Sequence, residues 1–307
     1  MPIEIETYRR INEAFPEKLA YHLGSRSGFF AEYVNMLQGI VYCLQNNIQF
    51  QLYSKDANFA TKDGWTDFFE PFCLEQTSPL HQVFNPRFPT PKFRFKLRKA
   101  GAPVVKMLCG CHYLTYEIWS GMNANRFDAK EITVDPLELT GSAMDIFRKV
   151  CTMTWRLKAS IREQIESIQQ QLALPKTYGA IHIRSGDKVK EVKPFAHYTY
   201  IEKLQDVANI KDVLVLTDDY NNFLKLIQDY PEINFYTLER EHQSGYHHRV
   251  NKRRSSSEKQ LDYITFLAGI ETAAAAKTYV GTYSSSVSTF LRLRMNENTC
   301  HAVDRYS

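Results

Sequence analysis

From residue 177 onward the hydrophobic pattern of the chain switches repeatedly between two periods. Short apolar runs at residues 177–183, 213–216, 233–238 and 278–281 read as buried strands, because a strand covered on both faces is apolar without interruption. Between them apolar residues recur at helical spacing. Ile201, Leu204 and Val207 do so within 198–208, and Phe223, Leu226 and Ile227 do so before Pro231. Leu261, Ile264, Leu267 and Ala268 form a third stripe, and Val287, Phe290 and Leu291 a fourth. Strands alternating with amphipathic helices predict an α/β fold with a parallel sheet covered on both faces. In such sheets ligands bind beyond the carboxyl ends of the strands.

The first half is less regular. Tyr33, Leu37, Ile40 and Val41 predict a helix over 29–43, after Gly24 and Gly28, and residues 48–53 alternate like a strand. Leu157, Ile161, Ile165, Ile168 and Leu172 mark an amphipathic helix over 156–172 that leads into the second domain. The division is therefore placed between a domain of residues 1–155 and one of residues 156–307. Five prolines between residues 79 and 103 predict loops there. In the same stretch Arg87, Lys92, Arg94, Lys96 and Arg98 interleave with Phe88, Phe93 and Phe95, which suits an exposed strand or the wall of a binding groove.

Composition removes several classes. The chain has 307 residues, 44% apolar and 23% charged, which excludes a mainly disordered chain. Mean hydropathy is −0.39 and no run approaches the ~18 apolar residues of a spanning helix. The net charge of +4 is too small to mark a nucleic-acid binder, whereas a phosphorylated small molecule needs only a local positive site. The six cysteines are scattered, with Cys109 and Cys111 the one close pair and no second pair to complete a zinc site. The first residues carry neither a basic nor a long apolar segment, so the expectation is a reducing, cytoplasmic setting.

Three motifs carry chemistry. The run from Ala180 to Lys188 packs His182, Arg184, Asp187 and Lys188 around a turn at Gly186, at the end of a buried strand. Arg184 offers a planar fork suited to phosphate; a surface ion-pair cluster is the plainer reading. Asp218 and Asp219 follow the second strand as a base, a metal pair or a helix cap. The turn Gly281-Thr282-Tyr283-Ser284-Ser285-Ser286 precedes a helix, where amides and hydroxyls can hold an anion or simply cap.

Taken in order, residues 182–189, 216–219, 245–247, Leu261-Asp262 and Thr282 to Ser285 resemble the GDP-fucose-dependent fucosyltransferases. The α1,6-fucosyltransferases of the core-glycan and rhizobial nodulation-factor types are the most similar, over residues 155–303, with weaker similarity at 28–53 and 65–71. The resemblance implies two facing Rossmann-like domains in the GT-B arrangement, with an N-terminal acceptor side and a C-terminal domain that binds the nucleotide sugar. It further implies inversion at the sugar carbon, no metal, no cofactor beyond the donor substrate GDP-fucose and a glycan acceptor; the weak charge and the hydropathy add the expectation of no nucleic acid and no membrane span. Arg184 would hold the β-phosphate, His182 and Asp262 would read guanine, and Thr282, Ser284, Ser285 and Ser286 would bind phosphate. Asp218 and His247 would complete the donor site, with Asp187, Lys188 and Glu191 beside Arg184 in catalysis.

Three positions depart from the pattern. Ser185 stands where the α1,6 enzymes carry a second arginine, Val192 where the family's glutamate base stands, and Thr289 where an arginine often follows the serine turn. Glu191, one residue earlier, is then the candidate base, with Asp67 and Glu32 as rivals. The alternatives are a same-fold transferase using another nucleotide sugar, or a non-catalytic GDP-sugar or glycan binder. The basic cluster around His247, Arg249 and Lys252 to Arg254 suits a solvated face, a donor-closing loop, or a nucleic-acid or membrane patch. Trp65 and Trp119 suit core packing or a sugar platform.

Overall fold

The computed structural model describes residues 2–24, 27–87, 92–122, 131–184, 195–239 and 255–304, with backbone alone at 92–95. The chain divides into two compact units after Lys158.

In the first unit α1 (Ile5–Ala14), β1 (Glu17–His22), α2 (Phe29–Gln45) and β2 (Ile48–Tyr53) lead to α3 (Leu80–Phe84), α4 (Lys92–Cys109), β3 (Tyr113–Leu114) and α5 (Thr115–Met122). A small antiparallel pair, β4 (Ile132–Val134) and β5 (Leu139–Gly141), precedes α6 (Ala143–Thr154). The main sheet is parallel with order β2-β1-β3. All six residues of β2 are buried, polar Gln49 and Gln51 included. The Asn12 side chain explains part of this: it donates to the Phe50 carbonyl at 2.9 Å and accepts from the Phe50 amide at 2.7 Å. The free edge of the strand is thus paired. Tyr33, Trp65 and Phe69 stack in series beside Phe29 and Trp155, forming an aromatic core.

The loops expected over 79–103 and the exposed strand are corrected by α3 and α4. Pro103 lies on the exposed side of α4, where one missing amide donor is tolerated. Arg98 is buried instead of exposed: it donates to the Pro86 carbonyl at 2.7 Å and lies 3.7 Å from the Tyr116 ring centre.

The second unit follows the predicted alternation: α7 (Ala159–Gln171), β6 (Gly179–Ile183), α8 (His197–Val207), β7 (Asp212–Thr217), α9 (Tyr220–Asp229), β8 (Asn234–Tyr236), α10 (Ser256–Ala274), β9 (Thr278–Gly281), α11 (Ser286–Arg294) and β10 (Cys300–Ala302). Its five strands are parallel with order β10-β9-β6-β7-β8. This is the doubly wound order, and it reverses between β6 and β9. Alternation sorts the strands onto two faces. Ile181, Ile183, Val213, Val215 and Val280 pack against α8 and α9. Ala180, His182, Leu214, Leu216 and Tyr279 take the opposite face by alternation, where α10 packs; there a Cβ on Gly269 would stand 3.1 Å from Leu216. A capping box fixes the start of α10: the Ser255 hydroxyl accepts from the Glu258 amide and Glu258 returns to the Ser255 amide.

Candidate functional site

The reversal between β6 and β9 opens the sheet where two adjacent strands send their following loops to opposite faces. Register runs Gly179 opposite Thr278, Ala180 opposite Tyr279 and Ile181 opposite Val280. His182, Arg184 and the turn from Thr282 to Ser285 therefore leave neighbouring strand ends. Asp218 follows β7 at the same edge, and Asp262 sits in the first half of α10, which enters from that edge. The fold thus gathers the predicted donor-site residues it describes onto one edge. Asp187, Lys188, Glu191 and His247 lie outside the described residues.

His182 is buried, and among the described residues its Nδ1 has no hydrogen-bond partner. Burial pushes its pKa down, and the neighbouring Arg184 guanidinium adds to this, to about 3. The ring is neutral at physiological pH and keeps one nitrogen as a donor and one as an acceptor.

Ser285 stands at the N-cap of α11, yet its hydroxyl makes no capping bond; Oγ is buried and without a partner among the described residues. Ordinary capping therefore does not account for this serine. The amides of Ser286, Val287 and Ser288 donate to no described residue, so the first turn of α11 keeps its donors and its positive dipole end. The preceding amides are occupied. Tyr283 and Ser284 donate to the Asp304 carboxylate at 2.6 and 3.1 Å, and Ser285 donates to the Thr282 carbonyl at 3.1 Å. Asp304 was not among the sequence candidates; it lies two residues past β10, and only the pairing of β10 with β9 brings it here.

Gly281 is required by close approach. Directly beneath it the Tyr279 hydroxyl and Ser288 Oγ share a 2.7 Å hydrogen bond. A Cβ at position 281 would clash with both oxygens, so the turn stays close to the sheet only with glycine.

The carboxylate pair after β7 divides its work. Asp219 caps α9, accepting from the Asn221 amide at 3.1 Å, while its own amide donates to Thr217 Oγ1 at 3.2 Å. Asp218 is half-buried and stays at the sheet edge.

The rival carboxylates sit in the first unit. Asp67 accepts from the amides of Thr61, Lys62, Asp63 and Gly64 at 2.6–3.1 Å. Burial alone would raise its pKa, but these backbone bonds outweigh burial and hold it below the usual carboxylate range. That makes it a loop organiser and a weak base. Glu32 is buried and pairs with Arg87 at 3.3 Å, and the Arg87 guanidinium lies 4.2 Å from the Trp119 ring centre. Trp65 is wholly buried in the aromatic core and is no sugar platform.

No protein-family model matches the chain, and no curated protein sequence matches it. Solved structures do. Fucosyltransferase NodZ from Bradyrhizobium is similar over 91% of this chain and 93% of its own, at 13% identity and a TM-score of 0.56. The apo form of POFUT1 is similar over 94% and 98%, at 11% identity and a TM-score of 0.55. A mutant of Arabidopsis thaliana FUT1 in complex with GDP is similar over 94% and 73%, at 11% identity and a TM-score of 0.51. The α/β class read from the strand–helix alternation, and the GT-B fold of two Rossmann-like units that the resemblance implies, are the fold these structures share. A crystal structure of NodZ α1,6-fucosyltransferase soaked with GDP-fucose is similar over 91% of this chain and 93% of its own, at 14% identity and a TM-score of 0.53.

Proposed function

We propose that the chain is a glycosyltransferase that moves fucose from GDP-fucose to a hydroxyl of a glycan acceptor. The observation that carries this reading is the carboxyl edge between β6 and β9. There the buried His182 Nδ1 and Ser285 Oγ, without partners among the described residues, flank Arg184 and the α11 amides that donate to no described residue. Buried polar atoms without partners are rare in a finished fold, and this set offers mainly donors, as an anion requires. The fold shared with GDP-fucose enzymes supports the choice of donor.

The chemistry follows from the charges. As the acceptor oxygen bonds to the sugar carbon, the hydroxyl gives its proton to a base, the role the sequence offers to Glu191, while the bond from that carbon to the β-phosphate oxygen breaks and its electron pair leaves on GDP. Fixed donors placed where this charge develops lower the barrier. Arg184 supplies a full positive charge there, and the first turn of α11 and the Ser285 hydroxyl supply oriented dipoles. His182, held neutral, is suited to read a nucleoside edge. With these groups as the charge-neutralising set, transfer runs without a divalent ion, and direct displacement from the face opposite the diphosphate, as the family resemblance implies, inverts the sugar carbon.

The test is GDP release from GDP-fucose by the full chain, with and without a panel of glycan acceptors, in EDTA. The expected result is release that rises with one acceptor class, an inverted linkage in the product, and loss of turnover in Arg184→Ala. Dependence on a divalent ion would overturn the metal-free mechanism. Release from a different GDP-sugar would move the reading to that donor. The Val192 departure favours a second reading, a GDP-sugar binder without turnover, whose signature is tight GDP binding and no release with any acceptor.

A further inference from the structure

We propose that α3 is an acid-released cover over the carboxyl edge of the first sheet, with His81 as its catch. This sheet has a reversal of strand order of its own. β2 lies on one side of β1 and β3 on the other, so a ligand crevice belongs where β1 and β3 part. Asn85, the residue that ends α3, bridges that seam. Its Nδ2 donates to the Ala20 carbonyl of β1 at 2.7 Å, and its Oδ1 accepts from the Thr115 amide just past β3 at 2.7 Å. Both bonds are buried, and together they fix the orientation of the amide.

The second hydrogen of Asn85 Nδ2 is left for His81 Nδ1, 3.2 Å away. A ring nitrogen that accepts carries a lone pair, so His81 is neutral, with its proton on Nε2. The side chain is wholly buried, and its Nε2 has no partner among the described residues. Protonation would set a ring N–H against the Asn85 amide, which cannot reverse without losing Ala20 and Thr115. The surroundings give that charge little support. His22, at the end of β1, holds Asp56 through Nε2 at 2.8 Å, and both imidazoles lie against the Tyr53 ring of β2. From α4, Arg98 turns to the Pro86 carbonyl. Burial and His22 push the His81 pKa down to about 4, although Asp56 acts in the opposite direction. Released into water, the ring regains an ordinary value of about 6.5. The open form therefore takes up a proton between about pH 6.5 and 4 that the closed form refuses. Each pH unit lost in that range favours opening about tenfold.

The experiment is hydrogen exchange of the full chain from about pH 7 down to about pH 4.5, read by mass spectrometry and corrected for intrinsic exchange. Protection over residues 79–87 and 113–118 is expected to fall about tenfold per unit below about pH 6, while residues 213–217 of β7 keep theirs. His81→Gln, which keeps an acceptor for Asn85 and cannot titrate, should flatten the fall, and its thermal melting at neutral pH shows that it is folded. Imidazole nitrogen shifts of the native chain supply a readout that needs no variant. They should show His81 Nδ1 bare and Nε2 protonated at neutral pH. Protection that is constant with pH, or that falls equally in His81→Gln, overturns the proposal. So does a fall shared by residues 213–217, which is ordinary acid unfolding, or a proton on His81 Nδ1 at neutral pH.

Discussion

Asp67 in the first unit and Asp304 in the second both gather backbone amides into a tight turn, but only one of them completes the turn. Asp67 takes four amides over residues 61–64 and leaves its loop closed around it. Asp304 takes two, from Tyr283 and Ser284, while three further amides and the Ser285 hydroxyl beside them bond to no described residue. Backbone donors that a fold does not need to share with a ligand are met by its own acceptors. The second turn is shaped by a carboxylate yet left open, which is the arrangement an external anion requires.

The largest expected effect is at Arg184. Its replacement by alanine should reduce fucose transfer about a hundred- to a thousandfold, as loss of a charge-stabilising donor does, and steady-state GDP release would measure it. Asp67→Ala should come next, and its effect should be on stability alone. Loss of charge-assisted backbone bonds at that loop should cost about 2–3 kcal/mol, read by denaturant unfolding, with GDP affinity unchanged. The sign with pH follows from its lowered pKa. A carboxylate held below 3.8 contributes above that value and loses its contribution as pH falls through the folded-state pKa. The stability gap between the native chain and Asp67→Ala should therefore narrow in acid.

Asp304→Ala should be smaller and of a different kind. If the carboxylate shapes the turn, its removal should weaken GDP binding by up to about tenfold, as titration calorimetry would record. Tighter binding in the variant would mean that Asp304 competes with the phosphate instead. Ser285→Ala should separate the two kinds of turn most finely. Its hydroxyl has no partner among the described residues, so stability should hold or rise, because an unsatisfied buried group is removed. GDP affinity should fall about fivefold. A destabilised apo chain with unaltered GDP binding would make Ser285 a structural residue.

The legibility of these regions in the sequence follows their physics. The strands of the second unit were readable because residues 213–216 and 278–281 are buried on both faces and therefore apolar throughout. The residues of the edge between β6 and β9 were readable as chemistry, but their convergence was not, since strand order depends on pairings far apart in the chain. Asp304 gave no local signal for the same reason. In the first unit β1 opens with Glu17 and Lys18, and β3 is two residues long, so neither shows a period. The α4 segment misled through its prolines and its alternation of basic and aromatic residues. Tertiary contacts of Arg98 and Val105 outweigh that local pattern.

Thermal melting of the full chain with GDP, UDP or ADP, each with EDTA, tests the central claim most directly. A ligand at ~100 times its Kd stabilises by ~2.7 kcal/mol, a rise of several degrees for a chain of this size. A rise with GDP that EDTA leaves intact, and that falls in Ser285→Ala, is the predicted result. A rise with UDP or ADP in place of GDP, or none with any nucleotide, would contradict the account.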